Sequence, residues 1–227
     1  MVEFFQVFIP IGLFFFKKVL FKMEGLARKF LKERLGMDML GSYKYLLQDL
    51  KAVENACAGP NAKACPPERM LEVLVNLHNF YPSLNSVLEL ECGSGFSVAA
   101  FLRYGYDAMG VGRESVKTAS RNLERLGFEG CRAVQGDFLA KGYLDDSWDF
   151  DLFFVYQPAR TALQTLEALS AMRAESRIAL PHSLKLFCMH YPTFGVFPDA
   201  EKAAGYLRER GLAVDREGEN SVYLGKV

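Results

Sequence analysis

From about residue 84 to the C-terminus, short apolar runs alternate with longer amphipathic stretches, and this alternation constrains the fold more than any other feature of the chain. The runs at 86–91, 106–111, 131–135, 150–156, 177–181 and 221–226 have the length and composition of strands, with one more near 184–190 or 212–215. Helical spacing occupies 96–104, 115–126, 160–173 and 199–210, and an earlier helix is expected from Glu68 to His78. Strands joined through helices pair as parallel neighbours, because only a long crossover returns the chain to the same edge of a sheet. The sequence therefore predicts an α/β fold, a parallel sheet covered by helices.

The first 36 residues have a different character. Residues 4–16, FFQVFIPIGLFFF, are almost wholly apolar, but a bilayer-spanning helix needs about 20 such residues, and Pro10 and Gly12 weaken this one further. The basic residues follow the apolar stretch and no small-residue cleavage site is present, so no cleaved secretory signal is expected. Between Lys17 and Gly36 lie seven basic and two acidic residues, while Val19, Leu20, Met23, Leu26, Ala27, Phe30, Leu31 and Leu35 form a stripe at helical spacing. Two readings stand. The stripe is an interfacial anchor on an anionic membrane, or it packs on the body of the protein or on a second copy of the chain. Loop residues at 56–61 and the Pro66-Pro67 pair mark the boundary. They divide the chain into an N-terminal arm with a linker, 1–67, and a body, 68–227.

Composition narrows the function. Lys plus Arg number 27 and Asp plus Glu number 27, which gives no electrostatic case for nucleic acid. Cys57, Cys65, Cys92, Cys131 and Cys188 are odd in number, widely spaced and free of any CxxC pair. Neither a zinc site nor a disulfide framework is expected. Reduced thiols suit a cytoplasmic location, peripheral to a membrane if the arm meets lipid. His78, His182 and His190 are too scattered to suggest a metal cluster.

The chemistry concentrates where the first expected strand ends, in SVLELECGSGFSVAAFL. Gly93 and Gly95 allow a sharp turn and the close approach of a ligand to the backbone. The open amides of the following helix favour a negative group, and ligands of open α/β sheets bind at the carboxyl ends of the strands. VLELECGSG resembles the first motif of class I S-adenosylmethionine-dependent methyltransferases, in which an acid is followed by Gly-x-Gly-x-Gly. Glu89 matches the acid, Gly93 and Gly95 match the last two glycines, and Glu91 stands where the first glycine is expected. The resemblance runs from about Asn85 to the C-terminus. It implies a Rossmann-like sheet of order 3-2-1-4-5-7-6 with the last strand antiparallel, here carrying an N-terminal helical extension, and S-adenosyl-L-methionine as cofactor.

Further residues follow from the same resemblance. The family ends its second strand with an acid that accepts from the ribose hydroxyls, but the aligned residue here is Gly112, followed by Arg113 and Glu114. Gly136-Asp137-Phe138 is similar to the family's adenine motif, with Asp137 as acceptor for the amine and Phe138 against the ring. The fourth strand delivers Tyr156-Gln157-Pro158 to the carboxyl edge. Methyl transfer from a sulfonium needs alignment and exclusion of water more than a base, and Tyr156, His182 and His190 are the candidates for any proton transfer. The spacing GxSxG of a serine-hydrolase elbow and the GxGxxG of a dinucleotide fingerprint are both missing. The expected function is methyl transfer to an unidentified small-molecule or protein acceptor. Glu91 and Gly112 feed a second reading, a non-catalytic methyltransferase-like scaffold docked to a membrane or partner through its arm.

Overall fold

The computed structural model describes residues 23–57, 65–114, 116–137, 150–156, 186–190, 205, 208–209, 214–217 and 221–225. They fall into two compact units. The first holds helix α1 (residues 23–35), helix α2 (Ser42–Cys57) as far as Ala52, and helix α3 (Pro67–Phe80) with the turn to Pro82. The second takes the chain from Val53 to Pro66 and from Ser83 onward.

In the first unit, α1 uses the apolar stripe that its sequence predicts. Ala27, Phe30 and Leu31 are fully buried, so this part of the stripe packs within the chain while Arg28, Lys29 and Lys32 face water. The helix ends at Gly36 with φ of 67°, where the Gly36 amide donates to the Lys32 carbonyl at 3.1 Å. Helix α2 lies in the stretch that the sequence reading treats as linker, and it runs for 16 residues. Its first turn has no acidic residue of its own. Glu24 of α1 supplies the missing acceptor, taking the Ser42 and Tyr43 amides at 2.7 and 2.9 Å. Helix α3 starts with Pro67 at a position where an amide hydrogen would be unpaired, and Glu68 follows in its first turn. Expected from the sequence as part of the body, α3 groups with the first unit. Its His78 is buried, edge-on to Phe30 at 5.4 Å, with its Nε2 2.8 Å from a Glu33 carboxylate oxygen. Among the described residues no helix is long and apolar enough to cross a membrane; residues 4–16 lie outside them.

The second unit is built on a seven-stranded sheet of order β3-β2-β1-β4-β5-β7-β6. The strands are β1 (Ser86–Leu90), β2 (Asp107–Gly112), β3 (Ala133–Gln135), β4 (Leu152–Tyr156), β5 (Leu186–His190), β6 (Val214–Glu217) and β7 (Ser221–Gly225). Strands β3, β2, β1, β4 and β5 are mutually parallel, while β7 runs antiparallel to both β5 and β6. The sequence allows one further strand, near 184–190 or near 212–215, and the structure has both. The expected strand at 177–181 and helix at 160–173 lie outside the described residues.

Strand β1 is central, and Val87, Leu88, Glu89 and Leu90 are all buried, as befits a parallel strand covered on both faces. Asp151 ties the entry of β4 to that of β1, its carboxylate accepting from the Asn85 and Ser86 amides at 2.8 and 3.2 Å. Two helices follow the first two strands. Helix α4 (Phe96–Arg103) is buried from Phe96 to Phe101, and helix α5 (Val116–Arg125) buries Ala119, Asn122 and Leu123. The parallel pairing brings the carboxyl ends of β1 to β5 to one edge, with Leu90 beside Val111 and Val155, Gly112 beside Gln135, and Tyr156 beside His190.

Candidate functional site

The turn from β1 to α4 occupies that edge. Glu91, Gly93 and Gly95 adopt φ of 65°, 50° and 84°. Glycine takes this left-handed region without strain, but a side chain at 91 does not. The turn is closed from within by the Gly95 amide, which donates to the Cys92 carbonyl at 2.7 Å. It is joined to β2 by the Cys92 amide, which donates to the Val111 carbonyl at 2.9 Å. Gly110 makes that junction feasible, since a Cβ there would lie 2.3 Å from the Cys92 Cβ. Gly95 lets α5 come close, since its own Cβ would lie 3.2 Å from Ala119.

Beneath the turn lies Glu89, 4% exposed. Hydrogen bonds from the Ser97 hydroxyl and the Val98 amide reach its carboxyl, yet Oε2 has no partner among the described residues. Burial pushes the Glu89 carboxyl up to about 8, against the pull of those two hydrogen bonds. Glu89 lines a narrow cavity together with Cys65, Glu91, Cys92, Gly93, Ser94, Phe96, Ser97 and Tyr156. Its volume is about 10 Å³, room for one water-sized group.

The structure therefore brings Glu89, Glu91, Gly93 and Tyr156 to one place, with Gly95 at the start of α4. Gly112 ends β2 beside them, and Arg113 reaches across, its Nε donating to Glu91 Oε1 at 2.5 Å. This pairing holds the Arg113 guanidinium more firmly protonated. Asp137 stands at the same edge, since the Gly136 amide just before it donates to the Gly112 carbonyl at 3.0 Å. It is exposed and outside the cavity lining. Glu114 points to water. Phe138 and His182 lie outside the described residues. His190 is placed opposite Tyr156 in the β4–β5 register.

Two supporting residues carry little signal in the sequence. Ser97 is the hydroxyl on Glu89, and a serine within an apolar helix start carries no signal of that role. Asn122 is buried on α5 and donates from Nδ2 to the carbonyls of Cys57 and Ser94, each at 3.0 Å. A polar residue on the apolar face of a strongly amphipathic helix was the available clue.

No protein-family model and no curated protein matches the chain. Solved structures do. A protein of Pyrococcus horikoshii assigned as an RNA methyltransferase is similar at TM-score 0.58 and 15% identity, over 83% of this chain and 98% of that one. The ribosomal protein L11 methylase of Lactobacillus delbrueckii subsp. bulgaricus is similar at TM-score 0.50 and 16% identity, over 73% and 80%. PigF, solved with SAH, is similar at TM-score 0.50 and 14% identity, over 82% and 67%. At these identities the likeness concerns the fold, and the chain has the fold of the class I S-adenosylmethionine-dependent methyltransferases.

Proposed function

We propose that the second unit binds S-adenosyl-L-methionine at the carboxyl edge of β1 and β2 and directs methyl transfer to a small-molecule or protein acceptor. The observation that carries this reading is the β1–α4 turn: two left-handed glycines lie over a buried glutamate that keeps one carboxyl oxygen without a partner. Such an oxygen costs stability unless a ligand or solvent meets it, and glycines of this kind let a ligand lie against bare backbone. The narrow cavity admits no nucleoside, so the cofactor would lie over its mouth, against Gly93 and Glu91. On this reading Asp137, just after β3, would accept from the adenine amine, and Phe138 follows it in sequence. The sheet order with its antiparallel β7, and the helices before the sheet, fit the same reading.

The cofactor, when bound, supplies an electrophilic sulfonium methyl group. The residues of this chain align and enclose. The turn fixes the backbone against the ligand, Asn122 holds the turn from below, and Tyr156 borders the cavity at the end of β4. Proton transfer, where the acceptor requires it, falls to groups at the β4–β5 edge, where Tyr156 and His190 are register partners.

A second reading is a non-catalytic scaffold, favoured by the lack of a carboxylate on Gly112 and by the strained Glu91 in the turn. Isothermal titration calorimetry of the full chain with S-adenosylmethionine and S-adenosylhomocysteine decides between them. Saturable binding of both is the expected result. A folded chain that takes up neither refutes the catalytic reading in favour of the scaffold.

A further inference from the structure

We infer that Glu91 is the carboxylate that holds the ribose hydroxyls of the bound nucleoside, positioned by Arg113; this assignment rests on the cofactor reading proposed above. Glu91 is the one non-glycine residue with positive φ among the described residues. Strain of this kind persists where the surroundings fix it, and it concentrates at functional positions. Two contacts fix it here. The Cys92 amide pins the next residue to the Val111 carbonyl, and Arg113 Nε grips Glu91 Oε1 from the end of β2. A glycine would occupy position 91 without strain, so the strain is the cost of placing a carboxylate there.

The placement matches a gap in β2. Leu90 is in register with Val111, which sets residue 91 beside residue 112. Gly112 presents no side chain, although a Cβ there would meet nothing closer than 3.5 Å. β2 thus ends without a side chain, and the neighbouring loop supplies a carboxylate beside it. Glu91 Oε2 makes no hydrogen bond to a described residue, and Glu91 borders the cavity mouth. An ionised carboxylate only accepts, through two oxygens, and so suits the two donors of a vicinal diol. Of the other carboxylates at this edge, Glu89 is buried with its carboxyl bonded to Ser97 and Val98, while Glu114 and Asp137 are exposed and outside the cavity lining. Arg113 acts through Glu91 by orienting it, and is a positioning residue.

The test is calorimetric titration of the full chain with S-adenosylhomocysteine, with adenosine and 2′,3′-dideoxyadenosine as competitors. Wild type should bind S-adenosylhomocysteine and prefer adenosine over the dideoxy compound by about tenfold, the worth of a good hydrogen bond to a charged acceptor. Glu91→Gln should weaken S-adenosylhomocysteine about tenfold and lose most of that preference, and Arg113→Ala should reduce it. Glu91→Gly removes the same carboxylate while relieving the backbone, so its folding is secure, and it should lose the preference equally. Gly112→Asp added to Glu91→Gly should restore it, which a purely structural role for Glu91 would not allow. Unchanged preference in Glu91→Gly overturns the assignment and leaves the cofactor reading standing. A wild-type chain that does not bind S-adenosylhomocysteine overturns both.

Discussion

Replacing Glu89 by glutamine should make the protein more stable above pH 8 and leave it almost unchanged near pH 4.5. Glu89 is buried, with Cys57, Cys65, Cys92, Glu91 and Tyr156 as the nearby titratable groups and only a hydroxyl and one amide bonded to its carboxyl. Burial raises the folded-state value from 4.5 to about 8. Below 4.5 the group is neutral in both folded and unfolded chains, so its contribution is fully present. Between 4.5 and 8 the unfolded chain releases the proton while the folded one keeps it. Each pH unit in that window removes about 1.4 kcal/mol of folding stability, and crossing it removes about 3–5 kcal/mol. Above 8 the folded group ionises too and the loss is complete. Glutamine has the same shape, can accept from Ser97 and Val98 through Oε1, and never ionises. Urea unfolding followed by circular dichroism at pH 4.5 and pH 8.5 measures the difference. The variant should match wild type within about 1 kcal/mol at the lower pH and exceed it by about 2–4 kcal/mol at the higher. A stability difference that is the same at both pH values would refute a neutral, buried Glu89.

Other outcomes follow from the same site. Gly110→Ala should destabilise by about 1–3 kcal/mol, because its methyl group meets the Cys92 side chain. Gly112→Ala, with nothing nearer than 3.5 Å, should cost less than about 1 kcal/mol; equal losses in thermal melts would contradict the close approach at Gly110. Asn122→Ala strips the donor from the buried Cys57 and Ser94 carbonyls and should cost about 1–3 kcal/mol, with faster hydrogen exchange at the Gly95 amide. A loss below about 0.5 kcal/mol would remove Asn122 as the anchor of the turn. Cys131 is exposed, whereas Cys57 is pushed up to about 11 by burial and Cys92 is raised by burial and by nearby Glu89 and Glu91. Mass mapping after brief maleimide treatment should find Cys131 modified well before Cys57, Cys65 and Cys92, and early labelling of Cys92 would contradict its burial.

The parallel core was legible before any tertiary contact was known. Apolar runs such as SVLEL and LFFVY, separated by amphipathic helices, can bury their faces only in a covered parallel sheet. The glycines of ECGSG announced a sharp turn at the end of the first of these strands. The stripe of α1 likewise declared its inner face, although only tertiary packing could choose between lipid and protein for Ala27, Phe30 and Leu31. Helix α2 buries Leu46, Leu50, Val53 and Cys57 at helical spacing, but its start was hidden, because its first turn takes its acceptor from Glu24, 18 residues earlier. Relations across the sheet were hidden for the same reason. The pairing of Glu91 with Arg113, the clash that makes Gly110 necessary, and the orphaned oxygen of Glu89 each arise when β1 lies beside β2 and α4 covers them. Periodicity reports which face of an element is apolar. Which side chains meet across elements, and so what charge or strain a residue carries, is set by contacts between positions far apart in the chain.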